Sequence, residues 1–450
     1  HRTAKMTSAS VGGRYRRCRP LPSWCVFFSA TLLSIFGNNI RICNSFAIRQ
    51  NSWDYKGHSI GWEEARRNDD DPPASSDAAD PSKEEEPILL LNGFGVGSFH
   101  QHRLMPELVV VDDGRDDADR DSGSRVVYGI DYLGQGRSWP VDCDDGNSEN
   151  ERGLRYCIDT WADQIVQFVE TVVLPKHAPK TGPDGTSAPK VHLVGNSVGG
   201  HLSVLLASKR PDLFRSVCLL NATPVWGLNL PGWSGHLPPP SIPRTIGRYL
   251  FDRIRDLDTI DKYLENAYAN TDAYDDELCR QIRDCTEGKG GHAAFASIMW
   301  SPPATFPAGP ERTDDDFYSN LEALRCDVLL VFGKDDPWCK PAFARRMNRA
   351  LAVRPEEEWG VTHRYVEVDN VGHCPNHEAP KAVGKIVKRW INALDEGLGK
   401  SAILVEGESE TILEPSWGGE VMIKEMTGFN TDGNMWTDIS LVDRVVSRFL

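Results

Sequence analysis

The sequence predicts an α/β fold: a mostly parallel central sheet with helices on both faces and a helical lid inserted between two of its strands. Three observations predict it. From residue 87 onward, short apolar runs alternate with amphipathic segments, the pattern of parallel strands joined by crossover helices. That alternation breaks between Thr223 and about Leu324. A Gly-x-Ser-x-Gly turn at 195–199 joins an apolar run to a helix of small residues.

The elements follow in chain order. Strands are expected at 88–91, 126–130, 191–194, 216–220, 328–332 and 365–368. A helix over 161–173 places Trp161, Ile165, Phe168 and Val172 at helical spacing, with Asp159 and Thr160 positioned to cap its start. Further helices are expected at 199–208, 342–351 and 379–394. The interruption opens with prolines and tryptophans, then carries helical stretches at 246–257 and 259–268. A plain linker would not hold Trp226, Trp233, Phe251, Tyr263, Phe295, Met299 and Trp300, which want burial or an apolar ligand. Packing within the lid accounts for most of them.

The chain has 450 residues, with 50 Lys and Arg against 65 Asp and Glu, a net charge of −15. That excludes a polybasic nucleic-acid binder. Hydrophobic residues at 40% supply a large core. The acidity is concentrated in windows 63–86, 112–121 and 142–151, which together carry −16 and read as solvated insertions. Residues 1–45 hold no acid, a basic run at Arg14, Arg16, Arg17 and Arg19, an apolar stretch at 24–36, and Cys43 and Ser45 at cleavage-site spacing. This is the pattern of a secretory-type signal, too short in its apolar part to span a bilayer. The organisation expected is therefore a leader at 1–45, a core at 46–222, a lid at 223–324, the rest of the core at 325–396, and an extension at 397–450 of unassigned role. In that extension, 439–450 has an amphipathic pattern, expected to dock on the main domain rather than on a membrane. None of the cysteines beyond the leader forms a C-x-x-C pair, so nothing supports a zinc or redox motif.

The chemistry centres on Ser197. A serine on a sharp strand-to-helix turn needs small residues two before and two after it, and Gly195 and Gly199 supply them. Residues 57–61 repeat the motif around Ser59, but lead into charged residues and read as an edge strand. Serine is a weak nucleophile until a base takes its proton, and the base needs an acid to orient it. His373, in a loop after the last predicted strand, has the position of the base; His201, His363 and His377 fit less well. The strand at 328–332 ends in two carboxylates, and the spacing from Gly333 favours Asp336 over the adjacent Asp335. An oxyanion hole is expected from the backbone N–H groups of Phe94 and Val198. An organic base activates the serine, so neither metal nor cofactor is called for. Enzymes that open epoxides or remove halides through this fold need Asp at the elbow, where this chain has Ser197.

Several stretches carry a resemblance: 92–100 (NGFGVGSFH), 129–138 (GIDYLGQGRS), 195–199 (GNSVG), 220–227 (LNATPVWG), 295–299 (FASIM), 336–338 (DPW) and 372–375 (GHCP). Together they resemble the pheophytinase and chlorophyll dephytylase group of plastid α/β-hydrolases. The resemblance implies the α/β-hydrolase fold and hydrolysis of the phytyl ester of pheophytin a or chlorophyll a. It also implies Trp226, Phe295, Met299 and Trp338 as lining for an apolar phytylated tetrapyrrole, with peripheral thylakoid association. The residues Phe46-Ala47-Ile48-Arg49 after the signal are similar to the bipartite leaders that direct algal proteins to plastids. Asn221-Ala222-Thr223 fits a glycosylation sequon, but it ends a predicted core strand and reads as structural.

Overall fold

The computed structural model describes residues 46–67, 86–109, 125–139, 157–177, 189–224, 241–288, 317–399 and 409–426, with 291, 295, 299–301 and 404. The leader, the windows 112–121 and 142–151, Trp226, Trp233 and the helix expected at 439–450 lie outside the described residues.

Ten strands form one sheet: β1 Phe46–Tyr55, β2 His58–Arg67, β3 Ile88–Leu91, β4 Val127–Ile130, β5 Val191–Asn196, β6 Phe214–Leu220, β7 Asp327–Gly333, β8 His363–Asp369, β9 Ser409–Glu414 and β10 Gly419–Glu425, ordered β1-β2-β4-β3-β5-β6-β7-β8-β10-β9. The six strands from β4 to β8 run parallel, and antiparallel hairpins extend the sheet at both ends. Side chains alternate between the faces. In β7, Val328, Leu330 and Phe332 enter one core, while Leu329 and Val331 enter the other. Two cores need two layers of helices. The first layer is α2 Ile158–Phe168, α3 Val198–Lys209, α7 Phe317–Glu322 and α8 Pro341–Ala352. The second is α1 Met105–Val109 and α11 Pro380–Asp395. Short helices α9 Glu356–Trp359 and α10 Pro375–Glu378 flank β8. Between β6 and β7 stand α4 Ser241–Ile254, α5 Leu257–Ala267 and α6 Asp276–Asp284.

Three expectations are corrected. Ser59 lies on the second strand from the edge, because β1 pairs along the whole of β2. The acidic window at 63–86 begins inside that strand: Glu63 and Glu64 are buried, with His102 Nε2 2.7 Å from Glu63 and with Arg137 beside Glu63 and Arg66 and Lys176 beside Glu64 compensating their charge. Helix α2 starts at Ile158, so Asp159 and Thr160 fall in its first turn and Cys157 occupies the cap position. The stretch from 397, whose role the sequence leaves unassigned, adds strands to the sheet, since β10 pairs with β8. Glu414 of β9 is buried and accepts hydrogen bonds from Lys381 N (3.2 Å) and Ala382 N (2.7 Å), which caps the start of α11.

If the hairpin belongs to the folding unit, deleting a side chain there must cost as much as deleting one in the centre. Ile423 is fully buried, and Ile423→Ala should lower the unfolding free energy by about 2–5 kcal/mol. Urea denaturation measures it; a change within error would mean that the hairpin folds separately.

Candidate active site

Ser197 sits between β5 and α3 at φ 54°, ψ −115°, a conformation that costs a non-glycine residue about 1–3 kcal/mol. The surroundings impose it. A Cβ on Gly195 would lie 2.3 Å from the carbonyl oxygen of Gly199, and one on Gly199 would lie 2.2 Å from that of Leu91. Only glycines let β5, α3 and the end of β3 pass so closely. Four backbone bonds hold the turn: Ser197 N donates to Leu220 O (3.0 Å), while Gly200 N (3.0 Å), His201 N (3.2 Å) and Thr223 N (3.2 Å) donate to Ser197 O. Ser197 is half-buried, so its hydroxyl is left reachable.

The turn after β3 lies alongside. A Cβ on Gly93 would lie 3.4 Å from Ser197 Cβ. Asn92 is fully buried and staples this turn, donating from Nδ2 to Gly93 O (3.1 Å) and Val96 O (3.0 Å), while Tyr132 donates to Asn92 O (2.9 Å). Gly95, at φ 81°, donates its N–H to Gln135 Oε1 (2.6 Å). The loop carrying Phe94 N–H is therefore set before any ligand arrives. Phe94 stacks at 5.9 Å on Phe295, which meets Phe251 of α4 at 5.7 Å.

His373 and Asp336 are brought together: His373 Nδ1 lies 2.7 Å from Asp336 Oδ2. Asp335 turns instead to the backbone N–H of Asn370 (3.0 Å). Asp336 is saturated with donors, taking Trp338 N (2.7 Å) and Cys339 N (2.9 Å) on Oδ1 and Asn221 Nδ2 (2.8 Å) on Oδ2. Burial pushes its carboxyl up, but His373 and these N–H groups outweigh that and hold it below the ordinary value. It is an anion fixed to orient one imidazole. Asn196, beside the serine, donates from Nδ2 to His373 O (2.9 Å), tying the base loop to the elbow. The ring of Trp338 meets that of His373 edge-on at 4.9 Å.

Other sequence-stretch residues find their places. Asn221 is buried at φ 41°, accepts Gly333 N (2.8 Å) and holds Asp336, so its amide is engaged in the site. Met299 is half-buried in the lid. Ligand atoms of Asp336, Cys339 and His373 lie within 4.8 Å of one another, as do those of Glu86, His192 and Asp395. In the first group the Asp336 oxygens and His373 Nδ1 are already engaged with each other and with backbone N–H groups, which is the arrangement of an acid–base pair.

Sequence reasoning missed the seam that fastens the lid to the base loop. His373 N donates to Ala267 O (2.7 Å) at the end of α5. Tyr268 OH bridges His100 Nε2 (3.0 Å) and His377 Nδ1 (3.0 Å), whose rings stack at 4.9 Å. Burial, then Arg103 and His373, push the His100 imidazole down to about 3. Burial, then His100 and Arg103, push His377 well below its ordinary value. Both are neutral at pH 7, so the stacked pair is not self-repelling. Glu378 accepts Gly372 N (2.7 Å) on one oxygen and Asn270 N (2.7 Å) on the other. The signal available was the cluster of histidines around 372–377, but which of them meet depends on tertiary packing.

Residues 88–386 match the Alpha/beta hydrolase family, and the chain belongs to that family. Among curated relatives, it is 28% identical over 380 residues to the chloroplastic pheophytinase of Arabidopsis thaliana, covering 78% of this chain and 70% of that one. It is 21% identical to the 2-hydroxy-6-oxo-2,4-heptadienoate hydrolase of Pseudomonas putida, over 63% of this chain and 84% of that one. It is 24% identical to a 2-hydroxymuconate semialdehyde hydrolase of a Pseudomonas species, over 56% and 70%.

Burial raises the Glu378 carboxyl from 4.5 to about 7. A folded-state value above the unfolded one stabilises the fold fully below the unfolded value and loses that contribution as pH rises through the folded one. The wild type should therefore lose about 3 kcal/mol relative to Glu378→Gln between pH 4.5 and 8. Denaturant titration at several pH values measures this, and parallel pH profiles for the two proteins would refute it.

Proposed function

We propose that the chain is a serine carboxylic-ester hydrolase that removes phytol from pheophytin a or chlorophyll a, leaving pheophorbide a or chlorophyllide a. The observation that carries the reading is the buried pair of His373 Nδ1 and Asp336 Oδ2 at 2.7 Å, in a loop hydrogen-bonded to the elbow of Ser197 through Asn196. The 28% identity to a pheophytinase supports the substrate. The apolar Phe94, Phe295 and Phe251 beside the elbow support an apolar acyl or alcohol group.

In this reading the Ser197 hydroxyl attacks the ester carbonyl while His373 Nε2 takes its proton. Asp336 holds the imidazole in the tautomer with a proton on Nδ1 and stabilises the cation that forms. The N–H groups of Phe94 and Val198 receive the oxyanion. The C–O bond to phytol breaks as His373 returns the proton to the leaving alkoxide, leaving the tetrapyrrole acid as an acyl-enzyme. Water, deprotonated by His373, then attacks that ester, and the acid departs as the serine is reprotonated. Phe295, Met299 and Trp338 line the apolar substrate. The relative's name, chloroplastic, and the leader pattern at 1–49 support a plastid as the place of this reaction.

A second reading is favoured by the 2-hydroxy-6-oxo-2,4-heptadienoate and 2-hydroxymuconate semialdehyde hydrolases among the relatives: the same residues acting on a C–C bond or on another small apolar ester. A receptor that binds without turnover is the third. Purified protein should be offered pheophytin a, chlorophyll a and a short p-nitrophenyl ester. Phytol release is expected that Ser197→Ala abolishes, that Asp336→Asn lowers by about 10⁴-fold, and that Ser59→Ala leaves intact. Activity on the short ester alone would reject the pigment assignment, and one stoichiometric product with a persistent adduct would favour the receptor.

A further inference from the structure

Helix α4 is apolar on two opposite faces. Phe251 and Gly247 point into the protein, Phe251 being 6% exposed and in contact with Phe295. On the other side, Ile242 is 73% exposed, Ile246 43% and Tyr249 58%. Positions 242, 246 and 249 follow the i, i+4, i+7 spacing of a single helical stripe. Among the described residues, these three are among the large apolar side chains left exposed.

The charge beside the stripe is the reverse of the chain's. Residues 241–254 hold Arg244, Arg248 and Arg253 against Asp252 alone, in a chain of net −15. Arg248 and Arg253 are exposed, and the guanidinium of Arg253 lies 4.8 Å from the Tyr249 ring. A strip of Ile and Tyr flanked by arginines has the composition of a helix lying in a bilayer interface, its apolar side chains among the acyl tails and its arginines at anionic headgroups. A second copy of this chain fits less well. A two-fold contact would set arginine against arginine, and three apolar side chains fall short of the ~20–30 residues per side of a stable interface.

We propose that the outward face of α4 docks the protein on an anionic lipid surface. This deepens the reading above, since a phytyl ester partitions into lipid. The docked helix then has lipid on one face and, on the other, a file of rings from Phe251 through Phe295 to Phe94, next to Gly93 and the Ser197 elbow. An apolar chain drawn from the bilayer meets carbon along that file up to the nucleophile.

The test is flotation of the full chain with phosphatidylcholine vesicles, with and without phosphatidylglycerol. Binding is expected to anionic vesicles, weakened by salt. Ile242→Ser/Ile246→Ser/Tyr249→Ser should lower the partition coefficient by at least about tenfold. Arg248→Glu/Arg253→Glu should remove only the preference for phosphatidylglycerol. Both variants should hydrolyse a soluble short ester within about twofold of wild type, which reports an intact site. The proposal is overturned if the triple variant floats as well as wild type. It is also overturned if wild type does not float, or if the triple substitution instead dissolves a dimer seen without lipid. Flotation with Ser197→Ala needs no turnover, so binding by that variant alongside failed pigment hydrolysis would reject the substrate and leave the docking surface standing.

Discussion

The close passage of backbone at the elbow is the constraint on which the rest depends. The end of β3, the end of β5 and the first turn of α3 come within a distance that no Cβ at Gly195 or Gly199 would allow. That forces Ser197 to positive φ and lifts its side chain to the carboxyl end of the sheet, where parallel strands deliver their loops together. The strain at Ser197 is offset by backbone bonds to Leu220, Gly200 and Thr223. Leu220 ends β6 and Gly200 lies in the first turn of α3, while Thr223 follows β6 by three residues. The geometry of Ser197 is thus set by the strands and helix that flank it.

Asp336 and His373 are held by a second set of contacts, in which side-chain amides do the positioning. Asn221 holds Asp336, and Asn196 holds the backbone of His373. The base loop is fastened from the far side by the lid, through Ala267 and through Glu378, which ties it to Asn270. The end of α5 is therefore a fixed attachment, stitched by buried bonds that water does not compete for. Any movement of the lid has to occur away from residues 267–270. Helix α4 precedes α5 in the insertion and lies apart from that attachment, with Ile242, Ile246 and Tyr249 exposed on its outward face.

Much of the fold was legible because buried parallel strands and their helices have strong periodic signatures. The predicted strands at 88–91, 126–130 and 191–194 differ from β3, β4 and β5 by no more than two residues at either end. The sharp turn at Ser197 and the nearness of His373 to Asp336 were legible for a different reason: strained turns and strand ends admit few residue types. The β9–β10 hairpin was not readable. Sequences such as Ser409-Glu410-Thr411-Ile412-Leu413-Glu414 bury few side chains, and Glu414 is inside only because it caps a helix distant in sequence. Glu63 and Glu64 misled for the same reason, since counting acids cannot reveal that Lys176 and His102 come to meet them. The Tyr268 bridge joins residues 168 and 109 apart in sequence, and no local pattern encodes such a meeting.

The central claim is that one serine, strained into place and served by His373 and Asp336, is the nucleophile. The most direct test is covalent: react the protein with a fluorophosphonate ester, digest it, and locate the adduct by mass spectrometry. The account predicts stoichiometric phosphonylation at Ser197, slowed by His373→Ala even though the serine remains. An adduct at Ser59, or labelling of Ser197 that does not depend on His373, would contradict it.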